Sequence, residues 1–325
     1  MGYTTKYGGF WGLLPQTAGR IFWVAASASY QVSGTTYTAS DSNDGLAPER
    51  AFLTTDYAVG QCTANVGDVI VLLHGVHDDV AAVAVDVAGI TITGIPGSTP
   101  VNGGRGGGIR PLNRSSITNT ATAGIIFTVT VADVEFAYLD IEPTSAGGRG
   151  FRFSQAASRA YIHDCNIIMD ATASTTTYGI HYYDDVTGVN SRGVIRNCYF
   201  VSGTTTTSGA NGPAILAGGS IRGMLIEQCT FELLGTAAWA DCILSTGITN
   251  ELTIRDCDFL TPAGVTTVMT GAIDVTLATT EGACKVLRCY FSQGSDAFQM
   301  SATGDLHASD CYVLTSTVNA LQFAA

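Results

Sequence analysis

With 325 residues, 46% of them hydrophobic and only 13% charged, the chain has ample material for a core, and its net charge of −12 excludes a general nucleic-acid or anionic-membrane surface. No stretch is built like a transmembrane span, and the N-terminus lacks the basic-then-apolar order of a signal peptide. Gly, Thr, Ser, Ala and Val are plentiful while strong helix formers are sparse, which favours strands and turns over helices.

Residues 1–40 form an aromatic, Gly-rich arm. Phe10, Trp11, Leu13 and Leu14 stand in one short run, and Phe22 and Trp23 lie in a strand that begins near Arg20. Apolar surface of this size is either packed on the chain's own domain or docked on a partner. On the second reading these six residues are the partner-docking set. Ser29 to Thr38 reads as a hairpin turning at Ser33-Gly34. Residues 41–66 open with turn chemistry and continue as a helix over 51–62, with Phe52, Tyr57, Val59 and Cys62 on one side. Such a helix is placed to cover the open end of a β stack.

From residue 67 the chain is a series of short apolar or alternating strands. Gly67 to Gly75 holds the first strongly buried strand, and Val83–Val87 and Ile90–Ile95 follow. One phrase then recurs: an alternating strand, a polar residue, a Cys, and a second strand. It reads Val194-Ile195-Arg196-Asn197-Cys198-Tyr199-Phe200, and returns around Cys165, Cys229, Cys257, Cys289 and Cys311, with Leu139 in the Cys place of a degenerate copy. The steps from Leu139 are 26, 33, 31, 28, 32 and 22 residues, a spacing suited to stacked repeats. They are too short for a helix in every unit, so two or three strands per coil are expected: an all-β parallel β-helix over 67–325. The Cys at one fixed position reads as a column of reduced, buried thiols rather than a disulfide framework. No Cys-x-x-Cys pair or nearby His suggests a metal, and no cofactor is expected.

The segment Asp44–Phe52, then Gly67-Asp68-Val69-Ile70, Gly94-Ile95-Pro96 with Ile109-Arg110-Pro111, and the Cys-bearing rungs together resemble the right-handed parallel β-helix proteins of the pectate-lyase-like superfamily. The opening 44–70 and the run Phe10–Arg20 are similar to β-helix proteins encoded by tailed bacteriophages. That resemblance implies a protein made in the host cytoplasm and located in the virion, with major capsid or tail proteins as partners. It also implies either a structural role or, as in tail spikes, binding or cleavage of a host surface glycan. A final coil with open strand edges adds the expectation of a homo-oligomer or of a partner over the C-terminal end.

Catalysis by such a fold needs carboxylates paired on an outer face. His181, Asp184 and Asp185, with Tyr182 and Tyr183 beside them, make one candidate; strand alternation prevents all five from converging. Asp140 and Glu142 share one strand face, with Arg149 and Arg152 following, and make a second. Tyr182, Tyr183 and Trp239 are the candidate glycan-binding rings. Asp170, Glu232 and Asp241 also fall on outer positions. The Gly-rich run 102–110, with Arg114, is a basic loop without a phosphate-loop pattern. His163 and His307 share a variable slot with Arg196, Glu227 and Arg255, which reads as an outward, solvated position. No recognisable active-site phrase occurs, so a structural protein is favoured over a lyase or hydrolase.

Overall fold

The computed structural model describes residues 19–79, 81–95, 115–119, 124–143, 147–154, 156–169, 177–182, 189–202, 212–233, 241–260, 271–277, 283–292, 299–301 and 305–314. Three parallel sheets run along one axis, each coil giving a short strand to each in turn. Among the described residues sheet I has ten strands, sheet II nine and sheet III ten, and every pairing within them is parallel. This is a parallel β-helix.

The recurring phrase is the corner between sheets I and II. In one coil Val194–Arg196 lies in sheet I, Asn197 turns the chain, and Tyr199–Ser202 continues in sheet II. The turning residue has positive φ in every copy: Tyr138, Asp164, Asn197, Gln228, Asp256, Arg288 and Asp310 all fall between 49° and 55°. Asn and Asp tolerate this left-handed conformation better than other L residues. The turn is also tied to the next coil, since Asn197 N donates to Glu227 O at 3.0 Å and Gln228 N to Arg255 O at 3.1 Å.

Register then stacks like on like. Ile70, Ile92, Phe136, Ile162, Ile195, Ile226, Ile254 and Val286 form one inward column of sheet I. In sheet II Phe200, Phe231, Phe259 and Phe291 stack at 4.7–4.8 Å with rings within 9° of parallel. That spacing is the distance between neighbouring strands. Leu139 and five of the repeat cysteines are buried in the corner, with Cys311 half-buried at the end. All nine Cys are free. Each corner thiol has carbonyl acceptors: Cys198 Sγ lies 3.3 Å from Arg196 O and 3.7 Å from Ile162 O. Burial pushes the Cys284 thiol up to about 12 and Cys242 well above its ordinary value, so these thiols stay protonated.

The N-terminal end is closed by residues that precede the repeat. Strand β1 (Ile21–Val24) lies parallel on β4 (Val69–Leu72), and β2 (Ser29–Val32) pairs with β3 (Thr35–Thr38) as the expected hairpin, with Ser33 and Gly34 both at positive φ. Phe22 belongs to the main core, while Trp23 packs with Ala25, Ala39, Ala51, Val69 and Val71. Both are buried within the chain and hold its own cap, which corrects their assignment to a partner surface. Residues 21–24 are therefore part of sheet I rather than of a separate arm. Phe10, Trp11, Leu13 and Leu14 lie outside the described residues.

The helix is shorter than expected. Helix α1 covers Thr55–Gln61, with Thr54 as its N-cap, and buries Thr55, Ala58 and Val59. Phe52 is extended because the free edge of β1 needs partners: Trp23 N donates to Gly45 O and Phe52 N to Trp23 O, both at 2.8 Å. Tyr57 faces out. Helix α1 closes a second edge. Strand β5 (Gly75–Asp78) opens sheet II and β6 (Val83–Val85) opens sheet III, and Asp56 Oδ1 accepts from Ala84 N at 2.8 Å. An unpaired sheet edge invites other strands, and the cap answers that hazard at β1 and β6.

Phe231 sits between two parallel rings with no exposure. Phe231→Ala is expected to lower unfolding stability by about 3–5 kcal/mol, read from the denaturant midpoint. Cys198→Ser is expected to cost only about 1 kcal/mol, because the hydroxyl inherits the carbonyl of Arg196 as an acceptor.

Candidate functional site

Two outer faces carry polar groups dense enough to act. The first is the corner of sheet I, where side chains link four successive coils. Thr91 Oγ1 donates to Glu135 Oε2 at 2.9 Å, and His163 Nε2 donates to Glu135 Oε1 at 2.8 Å. His163 Nδ1 donates to Asp164 Oδ2 at 2.7 Å, and Asp164 Oδ1 accepts from Asn197 Nδ2. Tyr161 stacks on the His163 ring at 4.3 Å. Further along, Arg196 Nε donates to Gln228 Oε1 at 3.2 Å and lies 3.4 Å from Glu227 Oε1, while Arg255 Nε donates to Glu227 Oε2 at 2.7 Å. Arg288 then grips Asp256 through two bonds of 2.6 and 2.7 Å. Most of these charges meet an opposite charge on a neighbouring coil, while His163 stands in register beside Arg196, a like charge.

The solvated reading of the slot holds for Arg196 and His307, which are exposed, and fails for Glu227 and His163. Glu227 is buried and His163 is half-buried, while Arg196 is exposed and Arg255 half-exposed at its rim. Burial pulls the His163 pKa down, but its two carboxylate partners raise it more strongly, leaving it at about 9. The ring is an imidazolium at neutral pH, with both nitrogens donating, and it has no lone pair with which to take a proton. The hydrogen bond from His163, against the opposing effect of burial, holds Glu135 below the usual carboxylate range. The corner is a brace rather than a reaction centre.

The second face is the outer side of sheet III. Arg149 and Arg152 lie on Arg149–Phe153, and Tyr178 and His181 on the neighbouring Tyr178–Tyr182. Arg149 pairs in register with Tyr178 and Arg152 with His181. The Arg149 guanidinium lies 5.5 Å over the Tyr178 ring, and that ring stacks on His181 at 5.3 Å. Burial, then the charges of Arg149 and Arg152, push His181 down to about 4. It is neutral at pH 7 and flanked by cations. Farther along the same sheet, burial and then the charge of Asp274 hold Asp241 up at about 6, and burial raises Asp274 as well. The row runs Arg152, His181, Leu216, Leu244, Asp274. Four strand steps of about 4.8 Å separate Arg152 from Asp274, roughly 19 Å, while Asp241 lies three such steps from Arg149, roughly 14 Å.

The expected site residues divide accordingly. Tyr182 faces inward, stacks on Phe153 at 5.0 Å and is 2% exposed, so it is a core ring and not a glycan platform. His181 is on the opposite side of its strand, buried, and joined by Arg152 rather than by a carboxylate in register. Asp140 is buried on sheet II, accepting from Asn166 Nδ2 at 2.5 Å, and Glu142 is half-buried two residues on. Arg149 and Arg152 are on sheet III, so the groove expected from these four does not assemble as one strand face. Tyr183, Asp184, Asp185, Trp239, Asp170 and the Gly-rich run 102–110 lie outside the described residues. Sequence reasoning missed Tyr178 and Asp274. The spacing of Arg149 to Arg152, repeated at Tyr178 to His181, was the available signal.

No protein-family model and no curated protein sequence matches the chain. Among solved structures it is similar to a pectin methylesterase in complex with a hexasaccharide, at 13% identity over 90% of this chain and 94% of that one, TM-score 0.56. Pectin methylesterase PemA from Erwinia chrysanthemi matches at 12% identity over 96% and 94%, TM-score 0.56. Pectate lyase Pel9A matches at 11% identity over 94% and 80%, TM-score 0.57. At such identities the likeness is one of fold, and it is the right-handed parallel β-helix.

The brace has a definite pH signature. A His whose folded pKa lies above its unfolded value near 6.5 adds stability that is complete below about pH 6.5 and lost as pH rises through about 9. The melting temperature of the intact chain is expected to fall across that window. His163→Gln is expected to melt lower at pH 6 and to lose most of that slope, as calorimetry at a series of pH values would record.

Proposed function

We propose that the chain is a structural β-helical protein on the surface of a tailed-bacteriophage particle, held at its N-terminal end by capsid or tail proteins with its solenoid directed outward. The observation that carries this reading is how the charged groups of the sheet I corner are used. Glu135, His163, Asp164, Arg196, Glu227, Arg255, Asp256 and Arg288 are joined to one another across coils. A scaffold of this kind is stiff along its axis and chemically quiet. The phage-like sequence of residues 10–20 and 44–70 supplies the location. Particles purified by density gradient are expected to contain the chain at a fixed ratio to the major capsid protein. Its absence from them would overturn the assignment.

A second reading, glycan binding, is favoured by one specific feature: an arginine and a tyrosine together on one outer face, with the Arg149 guanidinium over the Tyr178 ring. Aromatic faces pack against sugar rings, and a guanidinium reads carboxylates in two-point fashion. On this reading a uronate-bearing oligosaccharide binds to the outer face of sheet III, and Arg149→Ala weakens it about tenfold in calorimetric titration. Failure of such oligosaccharides to bind the intact protein would remove the second reading and leave the first.

A further inference from the structure

Six large apolar side chains stand exposed among the described residues, and five of them fall between residues 46 and 76, at the capped end. Three of them, Leu46, Leu53 and Tyr57, lie in the segment that passes a single buried ring. Phe52 is 2% exposed, and Gly45 lies so close over it that an added Cβ would come within 2.3 Å of the ring. Tyr57 meets the same ring edge-on at 5.1 Å, and Leu53 follows it in the chain. Tyr57, at 39% exposure, thus packs on this buried aromatic, and Leu46 and Leu53, at 50% and 38%, adjoin Gly45 and Phe52 in the chain. They form a patch on the outside of the cap, whereas Phe22 and Trp23 are spent inside it.

The patch has a charged setting. Residues 41–57 contain Asp41, Asp44, Glu49 and Asp56 against Arg50 alone. Arg50 is joined to Asp44 at 3.1 Å. Asp41 accepts from the amides of Leu53 and Thr54 at 2.9 and 3.0 Å, and Asp56 accepts from that of Ala84. Amide donors hold carboxylates in place without cancelling their charge, so the surround stays negative.

We propose that this patch is a docking surface for another protein, one whose apolar contact is rimmed by Lys and Arg. It rests on the surface-anchored reading above and names the chemistry of the partner. Charge complementarity selects that occupant. A second copy placed cap to cap would set two acidic rims against each other, and an anionic membrane would be repelled in the same way. The apolar centre supplies affinity, while the acidic rim supplies orientation and salt dependence.

The test uses the intact chain and two amphipathic helical peptides with the same leucine face, one rimmed with Lys and one with Glu. The Lys-rimmed peptide is expected to bind saturably by titration calorimetry, more weakly as salt is raised, and to protect residues 46–57 from hydrogen exchange. The double variant Leu53→Ser, Tyr57→Ser is expected to bind it at least tenfold more weakly, with a modest fall in melting temperature from the lost contact of Tyr57 with Phe52. If that variant unfolds, Leu46→Ser read in the same way decides. Equal binding of the Glu-rimmed peptide, no binding of either, or cap-to-cap dimers in sedimentation would each overturn the proposal. So would protection of residues 46–57 in the free monomer, which would mean that the chain covers its own patch. If the chain is absent from particles yet the peptide results hold, the docking surface stands and the phage assignment alone fails.

Discussion

At the corner between sheets I and II one residue per coil, held at positive φ, sets the direction of the strand that follows, and a second left-handed residue leads into the sheet I strands. Seven corner residues, from Tyr138 to Asp310, share one conformation. Because the turn has the same length each time, the strand before it and the strand after it keep the same register from coil to coil. Columns of like side chains result: isoleucines in sheet I, phenylalanines in sheet II, thiols in the corner. A slip of one residue would move every inward side chain to the outer face. The left-handed turn costs strain where Tyr138, Gln228 and Arg288 occupy it, of the order of 1 kcal/mol or more for each. Core burial along the stack, at about 1.5–3 kcal/mol for each large apolar side chain, exceeds that cost.

The same regularity governs the polar surface. A fixed register brings outward residues of neighbouring coils within reach of one another, so a charge on one coil can pair with an opposite charge on the next. His163 between Glu135 and Asp164, and Glu227 between Arg196 and Arg255, are two outcomes of this rule. It explains why a histidine on an outer face carries no free nitrogen, and why a glutamate with cationic neighbours is itself buried. Sheet III departs from the pattern. There Arg149 and Arg152 stand beside Tyr178 and His181, and the acidic pair Asp241 and Asp274 lies several strands away. Basic groups gathered on one face are what an anionic ligand would meet, whereas the ion pairs of the corner suit a brace.

The N-terminal end of the described stack is finished by residues that precede the repeat. At the N-terminal end segment 45–52 closes the edge of β1 and helix α1 closes that of β6, each through specific hydrogen bonds. This finish uses up the buried aromatics Phe22, Trp23 and Phe52 and leaves Leu46, Leu53 and Tyr57 outside. An end that has stopped strand addition in this way can still offer a side-chain surface to a partner, and the cap thereby separates two hazards that an open β stack would combine.

The amino-acid sequence determined the architecture, because the repeat of strand, polar residue, Cys and strand carries both the period and the corner. It also determined the hairpin at Ser33-Gly34, whose turn residues admit only a narrow choice of backbone, and the burial of the thiols, since a Cys at one fixed position per coil must share one environment. What it left undecided lay across coils. Alternation along a strand tells which residues are inward and which outward, yet it does not tell which outward residue of the next coil stands opposite. His163 therefore read as solvated, Tyr182 as a sugar platform, and Phe22 and Trp23 as a docking set. Only the stacked structure gave His163 its two carboxylates, turned Tyr182 toward Phe153, and set Phe22 and Trp23 into the cap. The physical reason is that local pattern fixes the face of a side chain, whereas its neighbours are fixed by loop lengths and register between segments some 30 residues apart.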